Sequence, residues 1–176
     1  MKTGNKNNKN ILLILFFLAF LFFTNVVCKR DGDTPPIDTT NKKETPSIPF
    51  TKHGEVFFQD KDKKLIKSVD VEIAETDETR HMGLMFRDKM EETQGMLFIF
   101  PDEEKQGFYM KNTLIPLDII FVNTKKEIIK IYKNTTPLSE QDLPSIKPAI
   151  YVVEVNGGFT DKFKIKEGDF IDWRRN

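Results

Sequence analysis

The apolar positions of the chain fall into one long run near the N-terminus and many short segments after residue 50. The long run, Ile11–Phe23, would span roughly 20 Å as a helix, which is less than the roughly 30 Å hydrocarbon core of a bilayer. Residues 29–50 hold four Pro and few apolar side chains, so they cannot bury enough surface to fold. The pattern predicts a leader at 1–28, a disordered tether at 29–50 and a single domain at 51–176.

The short segments after residue 50 have the pattern of β-strands. Val69, Val71 and Ile73 alternate with polar residues, which is typical of a strand with one buried face. Gly95–Phe100 is continuously apolar and ends at Pro101, as expected for a strand buried on both faces. The same reasoning predicts strands at 56–58, 108–110, 119–122, 128–132, 150–155 and 169–173.

Two short helices are predicted among these strands. Thr76 or Asp77 can accept hydrogen bonds from the first-turn amides of a helix that begins near Glu78, and Gly83 limits its length. A second brief helix is predicted over 160–165. Seven or eight short strands with one or two short helices predict a mainly β fold, which we expect to be compact, mostly antiparallel and barrel-like.

The leader has the pattern of an export signal. Lys2, Lys6 and Lys9 precede the apolar run, and a positive segment followed by a short apolar core is typical of a secretory signal peptide. We therefore predict export to the cell envelope. An uncleaved N-terminal anchor is the alternative.

Cys28 is the single cysteine and follows the apolar run closely. Bacterial lipoproteins are acylated at a cysteine in this position, although Asn25–Val27 differ from the small residues that usually precede it. A free thiol beside an ordinary cleavage site is the alternative, and no second cysteine is present to pair with it. We predict lipid attachment at Cys28, so that a bacterial membrane is a partner and the domain is extracytoplasmic.

Composition narrows the possible functions. The 27 Lys and Arg residues balance 27 Asp and Glu, which argues against a nucleic-acid partner because such proteins need a basic surface. One Cys and two His argue against zinc or His-rich metal sites. The sequence also lacks a Gly-rich phosphate loop, a Ser nucleophile elbow and a nucleotide fingerprint. We expect no cofactor and no metal, and a binding role rather than catalysis.

Cationic and amide groups interrupt the apolar segments. Arg80 and Arg87 are seven residues apart, so they project from nearly the same side of a helix. They could hold a carboxylate or phosphate, or they could pair with Asp118 or Glu154. The polar triplet 111–113 lies on an irregular connection, where binding residues are often found.

Two further groups have alternative interpretations. Asp118 and Glu154 could form an acid/base pair, or Glu154 could simply alternate outward to solvent. Thioethers bind Cu(I), but methionine is also an adaptable core residue. The methionines in question lie close together in sequence: Met82, Met85, Met90, Met96 and Met110.

Taken together, the motifs resemble the bacterial and archaeal family of unknown function DUF192. Its motifs R-x-x-G-L-M-x-R, G-M-L-F-x-F, F-W-M-K-N-T-x-x-P-L-D-I-I-F, V-L-E-V-N-A-G and G-D are similar to segments that occur here in the same order: Arg80–Arg87, Gly95–Phe100, Phe108–Phe121, Val153–Gly158 and Gly168–Asp169. Tyr109 replaces the family's usual Trp and Gly157 its frequent Ala. The resemblance implies a small mainly β, barrel-like domain, commonly exported or lipid-anchored, with no established reaction, ligand or cofactor.

The first hypothesis is a membrane-tethered, non-catalytic module that binds a small anionic ligand or an envelope component. An envelope hydrolase using Asp118 and Glu154 is the alternative, and a Met-based Cu(I) site is the third. No catalytic residue is assigned. The candidate ligand-binding residues are Arg80, Arg87, Lys111, Asn112, Thr113, Asp118, Glu154 and Asn156.

Overall fold

The computed structural model describes residues 48–176. The predicted signal peptide, the predicted lipid attachment at Cys28 and most of the predicted tether therefore lie outside the described residues. In residues 48–176, no helix is both long enough and apolar enough to cross a membrane.

Nine strands and two short helices form the described part of the chain. The mainly β prediction is thus confirmed. In chain order the elements are β1 (Gly54–Gln59), β2 (Leu65–Ala74), α1 (Asp77–Met82), β3 (Gln94–Glu104), β4 (Gly107–Phe108), β5 (Leu117–Val122), β6 (Ile128–Tyr132), β7 (Leu143–Pro144), β8 (Ala149–Asn156), α2 (Phe159–Lys162) and β9 (Phe170–Arg175).

Seven strands form one curled sheet in the order β6-β5-β8-β3-β2-β1-β9. Neighbouring strands are antiparallel except β2 and β3, which run parallel. The two edge strands approach each other, since Glu127 and Phe170 form an isolated bridge. Because this contact is a single bridge, the sheet is barrel-like but not a closed barrel. β4 and β7 pair separately.

β3 extends further than its sequence pattern predicts. Pro101 does not end it, and the strand continues to Glu104. Its register with β8 shifts between Ile99 and Glu104, so Pro101 lies at an irregularity where no ladder hydrogen bond is required of it.

The sheet separates two apolar cores, because successive side chains point to opposite faces. The first core fills the curl of the sheet and includes Phe58, Leu97, Val153 and Phe159 of α2. The second core lies on the outer face of β3, β5 and β8 and includes Phe98, Met110, Ile119, Phe121 and Val152. Full burial of such side chains contributes roughly 1.5–3 kcal/mol each.

α1 lies beside the second core and is held by its ends. Thr76, one of the two predicted candidates, is the N-cap: its hydroxyl accepts a hydrogen bond from the Thr79 amide, and the Thr79 hydroxyl accepts one from the Thr76 amide. The helix ends at Gly83, which has a positive φ of 47°. A Cβ at Gly83 would lie 3.3 Å from the Phe98 ring, so glycine allows this turn to approach the sheet closely.

Candidate functional site

A pocket of about 220 Å³ lies between α1 and the outer face of the sheet. Its walls come from five parts of the chain: α1 with its C-terminal turn, β3, the segment around β4, the loop at Thr113, and β8. The lining residues are Arg80, His81, Met82, Gly83, Leu84, Met85, Phe98, Phe100, Gly107, Phe108, Tyr109, Thr113 and Glu154.

Aromatic rings packed edge to face form the sheet side of this pocket. The Phe108 ring lies 5.1 Å from the Phe98 ring at 87° and 5.6 Å from the Phe121 ring at 89°, measured between centroids. Phe100 is 6.3 Å from Phe108. Such T-shaped pairs stabilise one another beyond simple burial, so the aromatic wall is preformed.

Glu154 is the acidic residue of the pocket. On β8, Val153 and Val155 belong to the first core, whereas Val152 belongs to the second. Alternation therefore places Glu154 on the pocket face. The residue is only 5% exposed, so the outward orientation considered from sequence is wrong.

No hydrogen-bond donor among the described residues reaches the Glu154 carboxyl group. Burial raises its pKa to about 8, because the charged form loses hydration when it is removed from water. At neutral pH the group is mostly protonated. A buried carboxyl group that lines a pocket and has a raised pKa is a candidate functional residue.

Arg80 lines the same pocket, but most of its guanidinium N–H groups are used in hydrogen bonds within the fold. Its Nη1 donates to the backbone oxygens of Glu75 and Ile99, and its Nη2 donates to Asp77. The guanidinium carbon lies 5.3 Å from the Phe100 ring centroid, close enough for a cation–π contact. Three of the five guanidinium N–H groups are thus used inside the fold.

Arg87 does not reach the pocket. It is buried, and its Nη2 donates to Glu72 Oε2 at 2.6 Å. The other Glu72 oxygen accepts from the Thr51 amide at 2.8 Å, and Arg87 Nε has no hydrogen-bond partner within residues 48–176. The expected clamp of Arg80 and Arg87 is therefore not formed, because Arg87 neutralises a carboxylate of β2.

Asp118 is a structural carboxylate on the opposite face of the sheet from Glu154. It pairs in register with Val155 of the first core, whereas Glu154 pairs with Ile119 of the second. Its two oxygens accept four hydrogen bonds, from the Asn134, Gly158 and Thr160 amides and from the Thr160 hydroxyl. The two carboxyl groups hence do not form the expected acid/base pair.

The remaining predicted residues divide between the rim and the framework. Thr113 is buried and lines the pocket. Lys111 is exposed, and its Nζ lies 3.5 Å from Glu140 Oε1. Asn112 has a positive φ of 58° and its backbone oxygen accepts from the Phe86 amide. Asn156 donates to the backbone oxygens of residues 90 and 91, so it fixes a loop.

The five clustered methionines have different environments. Met96 and Met110 are buried in the second core, and Met90 packs against it. Met82 and Met85 line the pocket, next to His81. Within residues 48–176, no group of three or more His, Cys, Asp or Glu side chains could hold a metal ion.

Sequence reasoning missed most of the pocket walls. The sequence pattern predicts Phe98, Phe100 and Phe108 only as strand residues, and it assigns no role to His81. Two signals pointed to this site: Glu154 within an apolar strand, and Tyr109 at a position where the resembled family has Trp.

Comparison with known proteins supports the architecture. The DUF192 family model, described as an uncharacterized ACR, matches residues 57–173. A UPF0127 protein of Pyrococcus furiosus is 27% identical over 112 residues, covering 61% of this chain and 89% of that protein.

Two crystal structures share the fold. A candidate transcription regulator from Sinorhizobium meliloti 1021 superposes with a TM-score of 0.67 and 30% identity, covering 72% of this chain and 98% of the other. A protein of unknown function from Novosphingobium aromaticivorans has a TM-score of 0.64 and 34% identity, with coverages of 68% and 84%.

Proposed function

The chain belongs to the DUF192 family, and from this premise we propose that its domain is a non-catalytic binding module that holds a small amine-bearing ligand in the α1 pocket. The observation that carries the proposal is the Glu154 carboxyl group, which is buried, faces the pocket and has no partner among the described residues. A ligand that supplies this partner gains a charge-assisted hydrogen bond to a carboxyl group that is largely removed from solvent.

A protonated amine matches the pocket in two ways. It carries N–H donors for the Glu154 oxygens, and its positive charge replaces the hydration that burial removes from the carboxylate. Four aromatic side chains also line the pocket: Phe98, Phe100, Phe108 and Tyr109. Aromatic side chains attract cations through the ring quadrupole, so the wall and the carboxyl group favour the same ligand chemistry.

The same geometry argues against a ligand that is only anionic. Arg87 is neutralised by Glu72, and Lys111 is exposed on the surface. Arg80 keeps two N–H groups that no described residue accepts, so it can receive an anionic group of a ligand whose amine binds Glu154. A small zwitterion therefore suits the pocket better than a free anion.

The two alternatives from sequence lose support in this geometry. Hydrolysis of glycosides by two carboxyl groups requires both to flank one bond, and Asp118 lies on the other face of the sheet from Glu154. For copper, three of the five clustered methionines are packed in or against the second core. A role in transcription, as in the name of the S. meliloti protein, is not favoured either. Residues 51–176 carry a small net negative charge, whereas nucleic-acid binding needs a basic surface.

The module is proposed to lie outside the cytoplasm. The positively charged start, the apolar run Ile11–Phe23 and Cys28 support an exported protein that is tethered to a bacterial membrane by lipid. Several acyl chains on one cysteine would hold it there stably.

Phosphoethanolamine is a suitable probe, because it carries an ammonium and a phosphate. We expect the full chain in detergent micelles to bind it in calorimetry, and 2-hydroxyethyl phosphate, which has a hydroxyl in place of the ammonium, to bind at least tenfold more weakly. Binding should tighten about fivefold from pH 7 to pH 8, since the carboxylate form of Glu154 becomes more populated.

Two variants test the residue. Glu154→Gln should weaken phosphoethanolamine binding at least tenfold, whereas Glu140→Gln, which removes an exposed carboxylate near Lys111, should leave it unchanged. Equal affinity for the ammonium and hydroxyl compounds, or unaltered binding by Glu154→Gln, would contradict the proposal.

A further inference from the structure

We propose that the apolar rim of the pocket rests on a lipid bilayer and that the pocket takes the primary ammonium of a lipid headgroup. This inference rests on the proposed function, because it names the source of the amine. The rim is defined by five large apolar side chains. Met82 and Tyr109 line the pocket, and Phe86, Leu114 and Leu138 lie on segments joined to its lining residues in sequence or by backbone hydrogen bonds.

The rim is exposed although its side chains are large and apolar. Its members are between 40% and 59% exposed. Met82 and Tyr109 also line the pocket, and Leu114 directly follows the lining residue Thr113. Clustered apolar side chains around a ligand site mark a surface that contacts another apolar phase.

The backbone holds the rim in one place. The Phe86 amide donates to Asn112 O at 2.8 Å, and the Leu138 amide donates to Thr113 O at 3.1 Å. Phe86 and Leu138 have positive φ angles of 63° and 62°, which cost free energy for such residues and persist where the surrounding structure requires them. Three segments are thereby joined around one mouth.

The point at which the N-terminal segment enters the domain favours a membrane as the surface that the rim contacts. Residue 48 is the first that the structure describes, and its backbone oxygen lies 3.5 Å from Arg87 Nη1. Arg87 directly follows Phe86 of the rim. About 20 residues separate Cys28 from Ile48, a length that reaches at most about 70 Å. The segment that would carry a lipid anchor at Cys28 therefore enters the domain at Ile48, near the side chain of the residue that follows Phe86.

The chemistry of the rim is also that of a membrane interface. Tyr109 combines an apolar ring with a polar hydroxyl, as do the residues enriched at the headgroup level of membranes. Lys111 is half exposed within the same loop, and lysine can keep its charged end in water while its stem contacts apolar surface. A headgroup ammonium under this rim would face the pocket.

The test places a single tryptophan in the rim of the full chain. In a Trp173→Phe background, which removes the only native Trp, Leu114→Trp reports on the rim. Leu65→Trp is the matched control, because Leu65 is 63% exposed but begins β2, whose other end leads to α1. Each protein is reconstituted in vesicles of phosphatidylglycerol, alone or mixed with phosphatidylethanolamine. In both kinds of vesicle the acyl chains of all lipids carry bromine as a quencher.

We expect about twofold quenching at position 114 and none at 65, with stronger quenching when phosphatidylethanolamine is present. Adding Glu154→Gln should remove only the increase due to phosphatidylethanolamine, and Glu140→Gln should keep it. Equal quenching at both positions, or no dependence on the headgroup, overturns the inference. In either case binding of soluble phosphoethanolamine would leave the proposed function intact, and its absence would remove the proposed function independently of quenching.

Discussion

A carboxyl group that burial keeps protonated at neutral pH costs the fold little in acid and more as the pH rises. Glu154 is such a group, with a pKa of about 8 and no described partner. The unfolded chain binds fewer protons there than the folded chain between pH 4.5 and 8, because the ordinary glutamate pKa is about 4.3. Stability must therefore fall with rising pH across this range, unless a ligand cation compensates the charge.

Replacing Glu154 with Gln should abolish this loss. We expect equal stability of the two proteins near pH 4, and a more stable Glu154→Gln protein above pH 8, by at most about 5 kcal/mol. Urea unfolding followed by Trp173 fluorescence at several pH values measures the difference. Parallel pH profiles of the two proteins would show that Glu154 ionises freely in the folded state.

The start of α2 is held by the side chain of Asp118. Asp118 of β5 accepts hydrogen bonds from the backbone amides of residues 134, 158 and 160 and from the Thr160 hydroxyl. Asp118 is fully buried, so water cannot replace its carboxylate oxygens as acceptors for these donors. The carboxylate joins β5, the loop after β6 and the start of α2, and Phe159 of α2 belongs to the first core.

Asp118→Asn should destabilise the protein by about 2–4 kcal/mol, because an amide presents N–H groups to donors where the carboxylate accepted. Asp161→Asn in the same helix is the control. Its side chain is exposed and bonds only to Lys133 among the described residues, so the cost should stay below about 0.5 kcal/mol. Similar shifts in the urea midpoint for both variants would mean that Asp118 does not hold α2.

Elements that depend on local signals could be predicted from the sequence. The alternation of Val69, Val71 and Ile73 identified β2, and Thr76 identified the start of α1. The two-residue strand β7 and the continuation of β3 past Pro101 were missed. Both depend on partners that are distant in the chain, namely β4 for β7 and β8 for β3, and sequence periodicity carries no information about them.

The same limit explains the candidate site. Asp118 and Glu154 each interrupt an apolar strand, but only the register between β5 and β8 shows that they face opposite sides. Arg87 could be paired with Glu72 only by knowing how the turn after α1 packs on β2. Residue types therefore indicated that a polar site exists, whereas its membership required the three-dimensional pairing.

Across the described part of the molecule, the pocket joins a rigid wall to a weakly held one. β8 lies between β5 and β3, and every residue of β5 is buried. α1, by contrast, has no buried residue and depends on its caps and on the side-chain bonds of Arg80. Segments with few buried apolar contacts open locally at lower free energy than the core of a sheet.

Amide hydrogen exchange should reveal this division. We expect amides of α1 to exchange at least roughly 100-fold faster than those of β5 and β8, since they open without global unfolding. Phosphoethanolamine should slow exchange in α1 and leave β1 and β9 unchanged, because the ligand joins the helix to the sheet through Glu154. Exchange of α1 at the rate of β8 would mean that both walls open only together, and the pocket would then be fixed before its ligand arrives.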